Sequence, residues 1–153
     1  MDKEISKYSL DYFKGIFHTY ALQNDPGINV FYSFDIDDFA TENTIEESLI
    51  KNIKYLENYE LTFEKITKED FENLLNGWLF AEFRPNSIKH ISTINTTKHL
   101  VDTLVSCFGI TTYHKMISIK NDGKNAENDF GYAIDFVVLS SETKRYLCEF
   151  TIG

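Results

Sequence analysis

Four side chains of the types that bind zinc lie close together in the sequence. They are His90, His99, Cys107 and His114. Zinc fingers hold the ion with short ligand pairs, whereas these residues follow one another at separations of nine, eight and seven positions. On the helix predicted below, His99 and Cys107 would lie about 80° apart around the axis. We therefore expect no metal or cofactor here, and an inert core thiol rather than a nucleophile at Cys107.

Acidic residues near the end of the chain offer a second chemistry. The group is Asp135, Glu142, Lys144 and Glu149. It resembles the carboxylates and lysine of restriction-endonuclease-like nucleases, in which acids on adjacent strands hold Mg²⁺. The residue two positions after Glu149 is Thr151, so the ordering with both acids in mid-strand lacks the lysine. A loop of two or four residues would also place Asp135 and Glu149 on opposite faces, and only an odd loop would bring them together.

Three aspartates, Asp35, Asp37 and Asp38, form a third group of candidate ligands, suited to a hard cation. Their segment lacks the turn glycine and the glutamate at the twelfth position that an EF-hand requires. The chain has no G-x-G-x-x-G, Walker, H-E-x-x-H or G-x-S-x-G motif. This excludes the easily recognised nucleotide-binding, protease and hydrolase classes, and we expect a protein that is not an enzyme.

The negative charge of the chain is concentrated in residues 25–72. The formal net charge is −9, and this stretch holds thirteen acids against four lysines, while both flanks are neutral. A one-sided charge steers a basic partner, although such acids are also common on solvated helix faces. Because the basic residues are scattered, the positive surface that nucleic-acid binding needs is missing.

Length and composition predict one globular domain over residues 1–153. Hydrophobic residues make up 42% and aromatic residues 15% of the chain, enough to build a core. No run approaches the roughly 20 apolar residues of a membrane span. The N-terminus has no signal-peptide pattern, and Cys107 and Cys148 form no secreted-type framework, so we expect reduced thiols and a cytoplasmic protein.

Hydrophobic spacing predicts the elements that would position these side chains. Helices are predicted at 4–23, from Thr44 to Leu56, from Thr67 to Trp78 and from Asn95 to Phe108, with Gly109 ending the last. Strands are predicted at 28–34, 59–64, 88–93, 110–120, 130–140 and 144–152, with an acidic exit loop at 34–43 and a hairpin turn at 140–143. This is an α+β fold, with N-terminal helices interleaved with short strands and a C-terminal antiparallel sheet ending in a β-hairpin.

A short, acidic, single-domain chain of this kind resembles the immunity proteins of bacterial polymorphic and contact-dependent growth inhibition toxin systems. The segments FDIDDFATENTIEE, NYELTFE and TKEDFENL and the closing strands carry the resemblance. It implies a protein that neutralises a cognate toxin domain, often a nuclease, by occluding its active or substrate-binding surface. The alternatives are a metal-dependent nuclease, or a degenerate restriction-endonuclease-like domain, using Asp135 and Glu149, and a plain interaction domain of a phage or mobile element.

The residues predicted to bind the partner are chosen by charge and exposure. They are Asp35, Asp37, Asp38, Glu42, Glu46, Glu47, Tyr55, Tyr59, Glu60 and Glu64. The carboxylates would pair with lysines and arginines of the toxin, and the aromatic side chains would supply affinity. We expect a basic protein partner, no nucleic acid and no membrane, and the sequence indicates no oligomeric state.

Overall fold

A computed structural model describes residues 8–24, 31–80, 91–131 and 133–153. These ranges form a single α+β domain, which confirms the predicted fold class. The helices are α1 Leu10–Asn24, α2 Ile45–Asn52, α3 Lys68–Leu79 and α4 Ile91–Phe108. The strands are β1 Tyr32–Phe39, β2 Glu60–Ile66, β3 Thr112–Asn121, β4 Lys124–Asn125, β5 Ala133–Ser140 and β6 Arg145–Ile152.

All six strands belong to one antiparallel sheet with the order β1-β6-β5-β3-β2, and β4 pairs with β3. The predicted C-terminal sheet and its closing hairpin are confirmed. The sheet also takes in the two strands of the N-terminal half, which form its two edges. The first strand of the chain therefore pairs with the last.

The sheet carries a separate hydrophobic core on each side. The face packed against α1, α3 and α4, which we call the helical face, buries Phe34, Val137 and Phe150. The other face, which we call the α2 face, buries Leu61, Phe136 and Leu147 against α2 and a 3-10 turn at Lys54–Leu56. Residues next to one another in a strand point to opposite faces, so alternation decides which core each side chain joins.

Several predicted helix ends are confirmed by their hydrogen bonds. Thr67 Oγ1 accepts from the Asp70 amide at 3.0 Å, and the Asp70 carboxylate accepts from the Thr67 amide at 3.1 Å, which is a complete capping box. Thr44 Oγ1 accepts from the Glu47 amide at 3.3 Å at the start of α2. Gly109 follows α4 with a φ of 65°, the left-handed conformation that glycine adopts readily.

The first strand lies later in the sequence than predicted. It was predicted at 28–34 with an acidic exit loop, but β1 spans Tyr32–Phe39 and carries the three aspartates, while residues 25–30 lie outside the described ranges. Aspartate is unfavourable in strands. Burial of Phe34 and Ile36 on the helical face, together with pairing to β6, outweighs this preference.

Two further boundaries were wrong. Helix α4 begins by Ile91, so Asn95 lies inside the helix rather than capping it, and residues 91–93 are helical rather than part of a strand. Residues 81–90 lie outside the described ranges, so the rest of the predicted strand at 88–93 is not tested. Thr97, buried in this helix, donates to Asn76 Oδ1 at 2.7 Å, and this contact with α3 compensates for the weak helix propensity of a β-branched residue.

The second boundary is the end of α2, which was predicted to reach Leu56. Helix α2 ends at Asn52, because Ile53 is extended and the 3-10 turn follows.

Gly131, two residues before β5, lies directly against the end of β6. Its φ is 114°, and a Cβ there would lie 2.4 Å from the Ile152 carbonyl oxygen and 2.7 Å from Gly153 Cα. We expect Gly131→Ala to lower the free energy of unfolding by about 2–3 kcal/mol, measured by urea denaturation. Gly15→Ala, at an exposed helical site with no atom near the added Cβ, should instead stabilise by about 0.5–1 kcal/mol. Equal effects of the two substitutions would contradict this prediction.

Candidate functional site

An acidic cleft of about 240 Å³ lies at the β1 edge of the sheet, on the α2 face. The residues lining it come from β1, from the end of α2 with the following turn, and from β6. They are Asp37, Asp38, Phe39, Asn52, Ile53, Tyr55, Leu147 and Glu149. A larger cavity of about 610 Å³ runs beside α1 and α4, but the one carboxylate among its described lining residues, Asp102, is already paired with Lys68.

The cleft follows from the alternation in β1 and from its pairing with β6. Phe34 and Ile36 enter the core of the helical face, so Asp35 and Asp37 point to the α2 face. The register places Asp35 directly opposite Glu149. Side chains opposite one another in an antiparallel pair lie about 4.5–5.5 Å apart at Cβ, so the two carboxyl groups are neighbours.

Helix α2 is held over this side of the sheet by Arg145 of β6. Its Nη1 donates to the Asn43 carbonyl at 2.6 Å and to Ser48 Oγ at 3.1 Å. These contacts hold the start of α2 against the last strand. The end of α2 and the turn that carries Tyr55 thereby form the opposite wall of the cleft.

Two side chains of α1 reach the aspartates of β1. Lys14 Nζ lies 3.0 Å from Asp35 Oδ1 and 2.6 Å from Asp37 Oδ1, and His18 Nε2 lies 3.2 Å from Asp35 Oδ1. Burial opposes ionisation of Asp35, but the hydrogen bonds from Lys14 and the Ile36 amide outweigh it and lower its pKa. Burial likewise opposes the charge of Lys14, and its bonds to Asp37 and Asp35 raise its pKa.

Glu149 has the opposite environment. Burial raises its pKa, and the negative charges of Asp35 and Asp37 act in the same direction, against a hydrogen bond that Tyr55 Oη donates to Oε1 at 2.7 Å. The pKa of Tyr55 is raised in turn by burial and by the Glu149 carboxylate. The pKa values of these two adjacent carboxyl groups therefore move apart, so Asp35 keeps its negative charge to lower pH and Glu149 keeps its proton to higher pH.

The cleft carries a surplus of negative charge. Asp37, Asp38 and Glu149 line it, and Asp35 lies beside it, opposite Glu149. The lysines within ion-pair distance of them, in the described ranges, are Lys14 and Lys144, the latter 3.6 Å from Asp38. Among the residues that the structure describes, no three His, Cys, Asp or Glu side chains are arranged to hold a metal ion. The arrangement is suited to receiving a further organic cation, such as a lysine or arginine side chain.

The structure divides the residues predicted to bind a partner. Asp37, Asp38 and Tyr55 line the acidic cleft, and Asp35 lies beside it, opposite Glu149. Glu42, Glu46 and Glu47 lie beside it, at and just before the first turn of α2. Glu60 and Glu64 lie on β2 at the opposite edge of the sheet and face away from the α2 core, and Tyr59 donates to Asp129 at 3.2 Å. The ten residues therefore do not form one continuous surface.

Residues for which the sequence predicts no role in partner binding lie in the cleft or contact the aspartates at its β1 side. Lys14 and His18 stand in a helix of neutral composition, and no local pattern indicates that they contact β1. The sequence predicts Glu149 as a candidate metal ligand together with Asp135, whereas the acid opposite Glu149 on the neighbouring strand is Asp35. The alternation of β6 is visible in the sequence, but the strand that pairs with it is not.

Asp135 and Glu149 lie on opposite faces of the sheet. The loop between β5 and β6 has four residues, 141–144, and the register pairs Phe136 with Glu149, so the geometry predicted for an even loop is confirmed. Asp135 Oδ2 accepts a hydrogen bond from Trp78 Nε1 at 2.7 Å on the helical face. A single ion cannot be bound by both carboxylates in this arrangement.

The candidate zinc ligands are also separated. His99 and Cys107 lie on α4, on the helical face, whereas His114 of β3 pairs with Val138 and faces the α2 core. His90 lies outside the described ranges. Cys107 is half-buried and Cys148 is buried, and complete burial raises the pKa of the Cys148 thiol.

Comparison with protein-family models, curated proteins and solved structures finds no match. Within the described ranges, no helix is long and apolar enough to cross a membrane. A functional proposal therefore depends on the geometry and charge of the site.

Conservative substitutions at the cross-strand pair test these charges. Because the pKa of Asp35 is lowered, its stabilising contribution is present above the ordinary value of 3.8 and is lost as the pH falls through the lowered pKa. We expect Asp35→Asn to be less stable than the wild type by roughly 1 kcal/mol near neutral pH, with the difference vanishing in acid.

Glu149→Gln should show the opposite trend. Its pKa is raised, so ionisation of Glu149 costs stability as the pH rises from the ordinary value of 4.5 through the raised pKa. The glutamine can still accept the hydrogen bond from Tyr55, and the variant should become more stable relative to the wild type as the pH rises. Urea unfolding of the three proteins from acid to neutral pH measures both effects. Parallel curves would show that neither carboxyl group has the assigned environment.

Proposed function

We propose that this chain is a cytoplasmic immunity protein, which neutralises a basic toxin domain by binding it through the acidic cleft. The observation that carries the proposal is the cleft itself, which is lined by three carboxyl groups, has Asp35 directly beside it, and has two lysines within ion-pair distance of these acids. A toxin that acts on nucleic acids needs lysines and arginines to bind phosphate. Burying one of those side chains in the cleft would block the surface that the toxin uses.

The cleft provides two kinds of contact for a basic side chain, namely accessible carboxylates and an aromatic ring. Asp37 and Asp38 keep 59% and 51% of their side chains exposed, so both carboxylates are accessible to a partner. The Tyr55 side chain is 49% exposed at the wall of the cleft, and its ring lies 6.2 Å from that of Phe130. A guanidinium group would pair with the carboxylates and stack on the tyrosine ring, which favours arginine over lysine as the anchoring residue.

Glutamates beside the cleft would act at longer range. Glu46 and Glu47 lie in the first turn of α2, and neither has a lysine or arginine within 4.0 Å among the described residues. Their charge extends the negative potential from the cleft toward solvent. Such a potential accelerates association with a basic surface, and salt screens it over a Debye length of about 8 Å at physiological ionic strength.

Charge reversal at the cleft tests the proposal. The ligand is the toxin domain that we expect to be encoded directly upstream, measured by surface plasmon resonance at several salt concentrations. The double variant Asp37→Lys, Asp38→Lys should lower the association rate about tenfold or more and weaken its dependence on salt. The double variant Asp122→Lys, Glu127→Lys changes the net charge equally at two exposed positions, one in the turn after β3 and one at the start of the 3-10 turn after β4, and should bind like the wild type.

Two results would contradict the proposal. One is an equal loss of rate in both double variants while their melting temperatures match the wild type, because the acids would then act only through net charge. The other is an upstream gene product that does not bind this protein and does not inhibit the growth of bacteria that lack this protein.

The alternative function is a metal-dependent nuclease that uses Asp135 and Glu149. No observation favours it, because the two carboxylates point to opposite faces and Asp135 accepts a bond from Trp78. We expect the purified protein to leave DNA and RNA intact in the presence of Mg²⁺ or Mn²⁺. Cleavage that is lost on both Asp135→Asn and Glu149→Gln would overturn this ranking.

A further inference from the structure

Strand β2 forms an open edge of the sheet. It is the last strand in the order β1-β6-β5-β3-β2, and within the described parts of the chain its one strand partner is β3. In an antiparallel pair, alternate residues direct their backbone N–H and C=O groups away from the partner strand. Among the described residues, no backbone hydrogen bond from another element reaches the outer side of β2. These groups can pair with a further strand.

The opposite edge of the sheet is covered instead. Helix α1 packs along β1, and its Lys14 and His18 side chains reach Asp35. An approaching strand would have to displace these contacts. In the ranges that the structure describes, a helix therefore covers the β1 edge, and the backbone of the β2 edge is accessible.

The outer edge of β2 is also regular. A β-bulge interrupts the pairing of β2 with β3 between Thr62 and Phe63. Thr62 pairs with Ser118 and Phe63 with Met116, so the extra residue is Ile117 of β3. The irregularity lies inside the sheet, and the seven residues of β2 follow one another without interruption on the outer side.

Exposed glutamates determine which strand could pair with β2. Glu60, Thr62 and Glu64 alternate along one face and are all exposed. In the described structure, neither glutamate has a basic group within 4.0 Å, although Lys120 and Lys115 stand opposite them on β3. An added strand would place a side chain on the outer side of each glutamate. Two basic residues four positions apart, on one face of that strand, would complement both.

A second copy of this chain fits the edge poorly. Two β2 strands side by side would bring four glutamates onto one face of a short ribbon, in proteins that each carry a net charge of −9. Charges on an edge strand oppose self-association, while they attract a strand of opposite charge. The edge therefore selects a basic partner over another copy of itself.

We propose that β2 is a docking edge for an extended protein segment with two basic residues four positions apart. The segment would join the sheet through main-chain hydrogen bonds, and Glu60 and Glu64 would select it by charge. This surface is distinct from the acidic cleft, which lies at the other end of the strand order. The inference therefore does not depend on the identity of a toxin.

Short synthetic peptides test the edge directly. The probe is Thr-Lys-Val-Thr-Val-Lys-Val-Thr, whose lysines share a face with the central threonine. Its control, Thr-Lys-Val-Thr-Lys-Val-Val-Thr, has the same composition but places its lysines on opposite faces. We expect the probe to bind about tenfold more tightly than the control by calorimetry. Hydrogen exchange should slow at the outward-facing amides of residues 60–66.

Charge reversal in the protein supplies the matched comparison. The double variant Glu60→Lys, Glu64→Lys should no longer bind the probe. It should instead bind a peptide in which both lysines of the probe are replaced by glutamates. The double variants Asp122→Lys, Glu127→Lys and Asp37→Lys, Asp38→Lys should both keep the preference of the wild type. If the Asp37→Lys, Asp38→Lys variant still binds the probe peptide, the peptide binds at β2 and not at the acidic cleft. The two proposals can therefore fail independently of each other.

Three results would overturn the inference. They are equal affinity for the probe and the control, protection of amides outside β2, and protection of residues 60–66 that rises with protein concentration without any peptide. The last would mean that the edge pairs two copies of the chain. Since the wild type alone distinguishes these outcomes, the test holds even if a charge-reversed variant fails to fold.

Discussion

The pairing of β1 with β6 is the contact on which the rest of this structure depends. It joins the first strand of the chain to the last and places Phe34 and Ile36 beside Cys148 and Phe150 in the core of the helical face. The same register sets Asp35 opposite Glu149 on the other face. One set of backbone hydrogen bonds therefore completes a hydrophobic core on one side and builds the acidic cleft on the other.

The fold redistributes the charge of the acidic stretch. Along the sequence, residues 25–72 account for the whole net charge of −9. In the structure, Lys14 and Lys144 come from the neutral flanks to Asp35, Asp37 and Asp38. Of the acids proposed to bind a partner, one group then lies at and beside the acidic cleft and the other along β2. Two separate surfaces thus replace the continuous one that composition suggested.

The two edges of the sheet differ in how far other elements cover them in the described structure. Helix α1 packs along β1, and its Lys14 neutralises part of the charge there, so that edge can offer only side-chain groups to a partner. Strand β2 has no such cover in the described structure and can offer its backbone. A cleft of side chains recognises a single charged group, whereas an open strand recognises a spacing of several residues.

Local features of this protein could be predicted from its sequence, and the contacts that join distant segments could not. The Thr67 cap of α3, Gly109 after α4 and the opposite faces of Asp135 and Glu149 depend on neighbouring residues or on one short loop, so local sequence and turn length determine them. Tyr55 and Glu149, by contrast, are 94 positions apart, and no local pattern specifies that they meet. Their contact, the shifted bounds of β1 and the reach of Lys14 depend on which strand becomes the neighbour of β6. Only the packing of both cores decided that, because strand pairing is stabilised by burial shared among distant segments.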